Sequence, residues 1–247
     1  PSTKAINDLQ NVALPFETLH NHRQALNRYI GLFSGREDCF ARQWADRKAN
    51  KQGYIPVRRP IETTDLEDHL KGLKTYGIYL LKSDGTVKTA VIDVDLRKDF
   101  RGRKLTADEM NLVKRELNYL VLRLRELAAA SDLRPLLEFS GGKGYHFWFF
   151  FDVPAAPESV RAALEIVKRA VVGDISAFTI EIFPKQDHLK GKGFGNLVKL
   201  PLGVHRLTGK RSYFQQCHAR SVDAQLDFFS KAPITSSDKL AALQAED

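Results

Sequence analysis

Between residues 89 and 183 short apolar runs alternate with two stretches of helical period, in the order β-α-β-β-α-β, and that order fixes what this part of the chain can fold into. The segment TAVIDVDL (89–96) reads as a strand. Thr106 and Glu109 form a capping box that opens a helix to about residue 130, with Met110, Val113, Leu117, Leu120, Leu124 and Leu127 on its inward face. Residues 135–139 and 145–151 read as strands joined by a glycine turn. Pro157 opens a second helix, with Val160, Leu164, Val167 and Val171 inward, and 179–183 is the last strand. This is the ferredoxin-like, RRM-like unit. Its first strand lies between the third and fourth and runs antiparallel to both, so its end sits beside their beginnings.

The topology thereby gathers polar residues from distant parts of the sequence. Asp93 and Asp95 lie late in the first strand, Ser140 follows the second, His146 opens the third and Glu181 comes early in the fourth. Asp93 and Asp95 are two apart, so both leave one face of the strand. Their neighbours Val91, Ile92, Val94 and Leu96 are those of a buried strand. Two carboxylates there repel each other unless a cation neutralises them. An oxygen-only donor set without cysteine suits Mg²⁺ or Mn²⁺. A pair of such ions would activate an attacking oxygen and stabilise a leaving one in phosphoryl transfer. The competing interpretation is a hairpin-end strand with its acids in solvent; Glu181 favours the metal by adding a third acid.

The turn Ser140-Gly-Gly-Lys143-Gly144-Tyr-His146 places a hydroxyl, an ammonium and an imidazole around three glycines, whose backbone N–H groups can approach phosphate oxygens. From residue 182 to 211 there are seven basic residues (Lys185, Lys190, Lys192, Lys199, Arg206, Lys210 and Arg211) against one acid, Asp187. Lys199 and His205 sit there within an apolar stretch, which favours phosphate binding over a merely solvated face. The chain as a whole carries 38 Lys and Arg against 30 Asp and Glu, a net charge of +8 that suits a polyanionic partner.

The first part of the sequence is less explicit. A helix is expected over 22–33, with Ala25, Leu26, Tyr29, Ile30 and Phe33 on one face, and a short helix from an N-cap at Thr64 with Glu67. A strand at 76–81 leads to the turn Ser83-Asp84-Gly85. If that strand joined the same sheet it would compete for a place beside the first strand, which a long strand bending between modules would resolve. The expected division is an N-terminal α/β module (1–85), the RRM-like module with its basic loop (86–215) and a C-terminal tail or helix (216–247). Cys39 and Cys217 form no CxxC pattern, and no apolar run approaches the roughly 20 residues of a membrane helix. A cytoplasmic protein without membrane contact is expected.

The D-x-D strand (Val91-Ile-Asp-Val-Asp95), the S-G-x-x-G-x-H turn (Ser140 to His146), the single acid in Thr179-Ile-Glu-Ile182 and the segment Asn196 to Gly209 together resemble the archaeo-eukaryotic primase superfamily of primases and primase-polymerases. Within it, Phe33-Ser-Gly-Arg-Glu-Asp38, Glu181-Ile-Phe-Pro-Lys-Gln186 and Gly193-Phe-Gly-Asn-Leu197 look most like CRISPR-associated primase-polymerases and the primase domains of TOTE conflict systems. The resemblance implies an α/β primase core with an RRM-like palm, and template-directed nucleotidyl transfer from NTP or dNTP in DNA replication or priming. It implies single-stranded DNA template and primer as partners, with any further domains or CRISPR or conflict-system proteins lying outside this chain. It assigns Asp93, Asp95 and Glu181 to two divalent ions and catalysis. The incoming nucleotide falls to Ser140, Lys143, Gly144, His146, Lys185, Lys199, His205 and Arg206. Arg36, Arg42, Arg58 and Arg59 are candidate nucleic-acid contacts. Many relatives carry Asp where this chain has Glu181; the extra methylene still reaches a metal. Two other readings stay open: a non-catalytic RRM that binds RNA, for which Lys143 to Phe150 supplies an aromatic third strand, and another palm-type phosphoryl-transfer enzyme such as a nucleotide cyclase.

Overall fold

The computed structural model describes residues 15–142, 144–189 and 193–240. Two antiparallel sheets organise the chain. The first has the order β2-β1-β3-β8, from Phe40–Asp46 (β1), Lys51–Val57 (β2), Tyr76–Tyr79 (β3) and Leu197–Lys199 (β8). The second has the order β7-β4-β6-β5-β9, from Val87–Leu96 (β4), Leu136–Phe139 (β5), Gly144–Ala155 (β6), Phe178–Phe183 (β7) and Tyr213–Phe214 (β9). Among the described residues five α-helices accompany them: α1 (Pro15–Leu32), α2 (Thr63–Lys71), α3 (Ala107–Ala130), α4 (Pro157–Val172) and α5 (Val222–Phe228).

The second sheet contains the expected ferredoxin-like unit, with β4 between β6 and β7. Its strands alternate as their pairing demands. Ile92, Val94, Phe147 and Phe149 face α3 and α4, where Leu120, Leu124, Val160 and Leu164 complete a dry core. Each such side chain contributes roughly 1.5–3 kcal/mol when fully buried. The opposite face begins apolar, with Val91, Trp148 and Phe150 packed under α1 and α5 through Leu26, Tyr29, Phe33, Leu226 and Phe229. Two residues further along the same face the polar site begins.

Capping secures this frame. Thr106 accepts the Glu109 N–H while the Glu109 carboxylate accepts the Thr106 N–H, the capping box the sequence announces. From the same helix, buried Glu116 accepts from Ser176 and Ala177 and so fixes α3 to the entry of β7. Met110 departs from its expected inward place and is exposed; the helix turns Glu116, Leu120, Leu124 and Ala128 inward instead. At α2 the cap is Glu62 with Asp65, not Thr64 with Glu67. Glu62 and Asp65 exchange backbone bonds, and Arg59 reinforces Asp65.

The strand near residue 76 neither competes with the central strand nor bends into it. β3 pairs with β1 and, after the chain has built the second sheet, with β8. The β1–β2 hairpin carries no apolar alternation that would mark it in the sequence.

Candidate active site

Register places the acids. Asp93 lies opposite His146 on β6 and opposite Glu181 on β7; Asp95 lies opposite Gly144 and Thr179. The four side chains therefore leave one face at one end of the second sheet. They are satisfied unequally. Glu181 is half exposed and paired with Lys185 at 2.9 Å, and Asp95 is paired with Arg101 at 3.0 Å. Asp93 is partly buried; its Oδ1 lies out of solvent and accepts no hydrogen bond, and its nearest cation is His146 Nε2 at 3.7 Å. Burial pushes the Asp93 carboxyl up to about 6, against the pull of His146 and with added repulsion from Asp95 and Glu181.

A cleft of about 580 Å³ opens over this end of the sheet. Asp93, Asp95, Ser140, Gly142, His146, Lys199 and His205 line it from one side, with Lys98 and Arg101 at its rim. Gln43, Asn50, Gln52 and Tyr54 of the β1–β2 hairpin form the facing wall. The glycine turn is held by the next loop: Thr208 donates to the Gly141 carbonyl at 2.6 Å, and Gly141 adopts φ 80°, a conformation that favours glycine. His205 Nδ1 accepts from Thr208 N–H, so a neutral His205 carries its proton on Nε2, beside Gly142.

Behind the acids lies a residue the sequence reading passed over. Glu138 of β5 has no exposed surface; it accepts from His146 Nδ1 at 2.8 Å and from Trp148 Nε1 at 2.7 Å, and lies 3.5 Å from the Lys199 ammonium. Burial alone would raise its carboxyl, but Lys199 and His146 override this and hold it at about 2. Burial would lower His146, yet Glu138 and Asp93 raise it; Lys199 is lowered by burial. Lys199 donates to the Leu200 carbonyl and to Ser212 Oγ, both at 2.9 Å, so its ammonium is engaged within the protein at the cleft floor. The only sequence signal for Glu138 is an acid in an apolar strand, LLEF, just before the glycine turn.

Other expected residues fall elsewhere. Arg206 donates to the Gly72 and Leu73 carbonyls beyond the end of α2, and Lys185 is taken by Glu181. Arg59 forms a two-point pair with Asp65, and Arg42 leaves the face of β1 opposite the cleft-lining Gln43. Arg36 and Arg58 both lie over the Phe194 ring, at 5.5 and 4.9 Å. Gly144 opens β6 against Asp95, where a Cβ would collide with the Asp95 carboxylate. Lys143, Lys190 and Lys192 lie outside the described residues.

As the side chains stand, no three His, Cys, Asp or Glu among the described residues converge on a point where a metal ion would sit. The donor set nevertheless fits a hard divalent cation. Asp93 presents an unsatisfied buried oxygen, and the two acids flanking it are turned toward Lys185 and Arg101, partners on partly exposed side chains.

The ferredoxin-like sheet thus ends its central strand in paired acids, beside a glycine turn that runs into a histidine. Residues 24–243 match the family model described as "TOTE conflict system, Archaeo-Eukaryotic Primase domain", and the chain belongs to that family. Two solved structures resemble it at low identity. The polymerase domain of Mycobacterium tuberculosis Ligase D, in complex with DNA, is 13% identical, with 90% of this chain and 85% of that one covered and a TM-score of 0.46. The archaeo-eukaryotic primase domain of the cyanophage S-2L primase-polymerase is 12% identical, with 90% and 97% covered and a TM-score of 0.43. No curated protein matches the chain.

Proposed function

We propose that this chain is a template-directed nucleotidyltransferase, a primase-polymerase that adds nucleotides from NTP or dNTP to a strand paired with single-stranded DNA. One observation carries the reading: Asp93 sits between Glu181 and His146 in the register of three adjoining strands, at the mouth of a cleft large enough for a nucleotide.

Asp93, Asp95 and Glu181 would hold Mg²⁺ or Mn²⁺, which when bound supplies Lewis-acid activation of a hydroxyl and neutralisation of the departing pyrophosphate. The chain's own groups do the rest. His205, with its Nε2 proton beside the glycine turn, is a hydrogen-bond donor for a phosphate oxygen. Arg101 and Lys98 line the cleft as well, and the Arg101 guanidinium beside Asp95 is a partner for the triphosphate. Glu138 locks the His146 ring with Nδ1 inward and Nε2 toward Asp93, so the imidazole meets the substrate in one orientation. The uncharged wall of Gln43, Gln52 and Tyr54 suits sugar and base rather than phosphate.

The test is incubation of the wild-type chain with a single-stranded DNA template, labelled NTP or dNTP and Mg²⁺ or Mn²⁺. The reading expects products lengthened by successive nucleotides. A cyclic mononucleotide as sole product would make it a cyclase instead, and oligonucleotide binding without turnover would make it a binding module.

A further inference from the structure

The β1–β2 hairpin has two faces, and only one is used by the cleft. Gln43, Gln52 and Tyr54 line the cleft; Arg42, Trp44, Lys51 and Ile55 leave the opposite face. At the Phe40–Val57 end that outer face is covered by the core beneath α2, but toward the turn it is open. Trp44 is 40% exposed and Ile55 50%. The two are diagonal neighbours across the ladder, so they form one apolar patch among charged residues, the pattern of an interaction surface.

Its placement is specific. Trp44 pairs across the ladder with Gly53, and a Cβ there would come within 2.9–3.1 Å of the indole. The missing side chain lets the ring lie against the neighbouring backbone, which immobilises it while much of its surface stays open to solvent. Around it stand Arg42 on the same face, Lys51 diagonally across the ladder and Lys48 in the turn, against the single acid Asp46, while Arg47 turns to the Arg206 carbonyl. Asp46 is itself used by the turn, accepting from the Lys48 and Ala49 N–H groups. β2 is the edge strand of its sheet, so a strand leaving the cleft past Asn50 and Gln52 has only that edge to cross.

We propose that the outer face of the β1–β2 hairpin, centred on Trp44, binds single-stranded nucleic acid running out of the cleft over the β2 edge, with a base stacked on the indole and phosphates on Arg42, Lys48 and Lys51. A fixed aromatic among mobile cations is the combination that binds a single strand without reading its sequence. The inference rests on the proposed function for the direction of the strand, but the binding itself needs neither nucleotide nor metal.

The chain offers its own probe. It has two tryptophans, and Trp148 is fully buried and bonded to Glu138, so long-wavelength emission belongs to Trp44. Titration with a 20-mer of thymidine, and with the matching uridine 20-mer, is expected to quench that emission, with affinity falling steeply as salt rises. Anisotropy of a labelled oligonucleotide should then show W44A binding roughly 5- to 150-fold more weakly. W44F should retain most of the affinity, and R42A should lower the salt slope by about one. Quenching by only one of the two oligomers supports the surface and assigns its preference between the DNA and the RNA strand. Three results would overturn it: oligonucleotide binding without quenching of Trp44, wild-type affinity in a folded W44A, or emission that follows protein concentration instead, which would make this face a contact between copies. In each case a chain that still extends primers leaves the proposed function standing.

Discussion

Asp93 and Glu181 occupy the same register position on adjoining antiparallel strands, yet Glu181 has Lys185 at 2.9 Å while the Oδ1 atom of Asp93 has no hydrogen-bond partner. A carboxylate oxygen held out of solvent in that state destabilises the fold that carries it, and such a cost is retained where a site needs the charge.

Asp93→Asn should therefore raise stability while removing activity. With the Asp93 carboxyl at about 6 in the folded chain against an ordinary 3.8, the native state binds the extra proton between those values. Stability contributed by Asp93 thus rises as pH falls through that window, and at pH 7.5 the variant should gain about 1–2 kcal/mol in urea unfolding. Nucleotide incorporation should fall by at least about 100-fold. Added Mn²⁺ should raise the wild-type melting temperature and leave that of the variant unchanged.

Removal of Glu138 should be far more damaging to the fold. Glu138→Ala strands Lys199, His146 and Trp148 around an empty centre, for an expected loss of about 3–5 kcal/mol in denaturant unfolding. Glu138→Gln keeps the shape and an acceptor; it should fold, but release the orientation of His146 and lower kcat by about 10-fold or more. The ¹⁵N shifts of His146 would report the change directly.

His69 should set part of the acid sensitivity. It is fully buried, accepts the Tyr76 N–H on Nδ1 at 3.0 Å and donates Nε2–H to the Pro201 carbonyl at 2.9 Å, which only the neutral ring can do. Burial and the nearby Lys199 hold it at about 3, below its ordinary 6.5. The unfolded chain therefore binds the extra proton between these values, and stability falls as pH drops from about 6.5 toward 3. His69→Gln should flatten that slope by about one proton, read from urea midpoints across the range.

Gly144→Ala should disturb the acid pair through the backbone alone, because the new methyl meets both the Asp95 carboxylate and the Val94 carbonyl. A loss of about 1–3 kcal/mol is expected. Primer extension should fall further than that loss explains, measured at a temperature where the variant is fully folded.

How much of this was legible beforehand differs by region. The 89–183 unit was, because Ile92 and Val94, or Leu120 and Leu124, bury one face against a core and so keep a clean period. The meeting of Asp93, His146 and Glu181 followed from strand order alone. The β1–β2 hairpin was not legible: one face lines a polar cleft and the other is largely open, so ARQWAD and KQGYIPV show no apolar alternation. Glu138 was hidden because its counter-charge, Lys199, comes from β8, whose place at the cleft floor depends on a return to the first sheet. Arg59 and Arg206 are committed to Asp65 and to the Gly72 and Leu73 carbonyls, and charge does not say which helix end a side chain serves.

The most direct test of the account is primer extension on a single-stranded DNA template with Mg²⁺ or Mn²⁺, comparing the wild-type chain with Asp93→Ala at matched folded concentration. The wild type should give a ladder of extended products, and a variant whose melting temperature is undiminished should give none. Extension at the wild-type rate by the folded Asp93→Ala chain would contradict it.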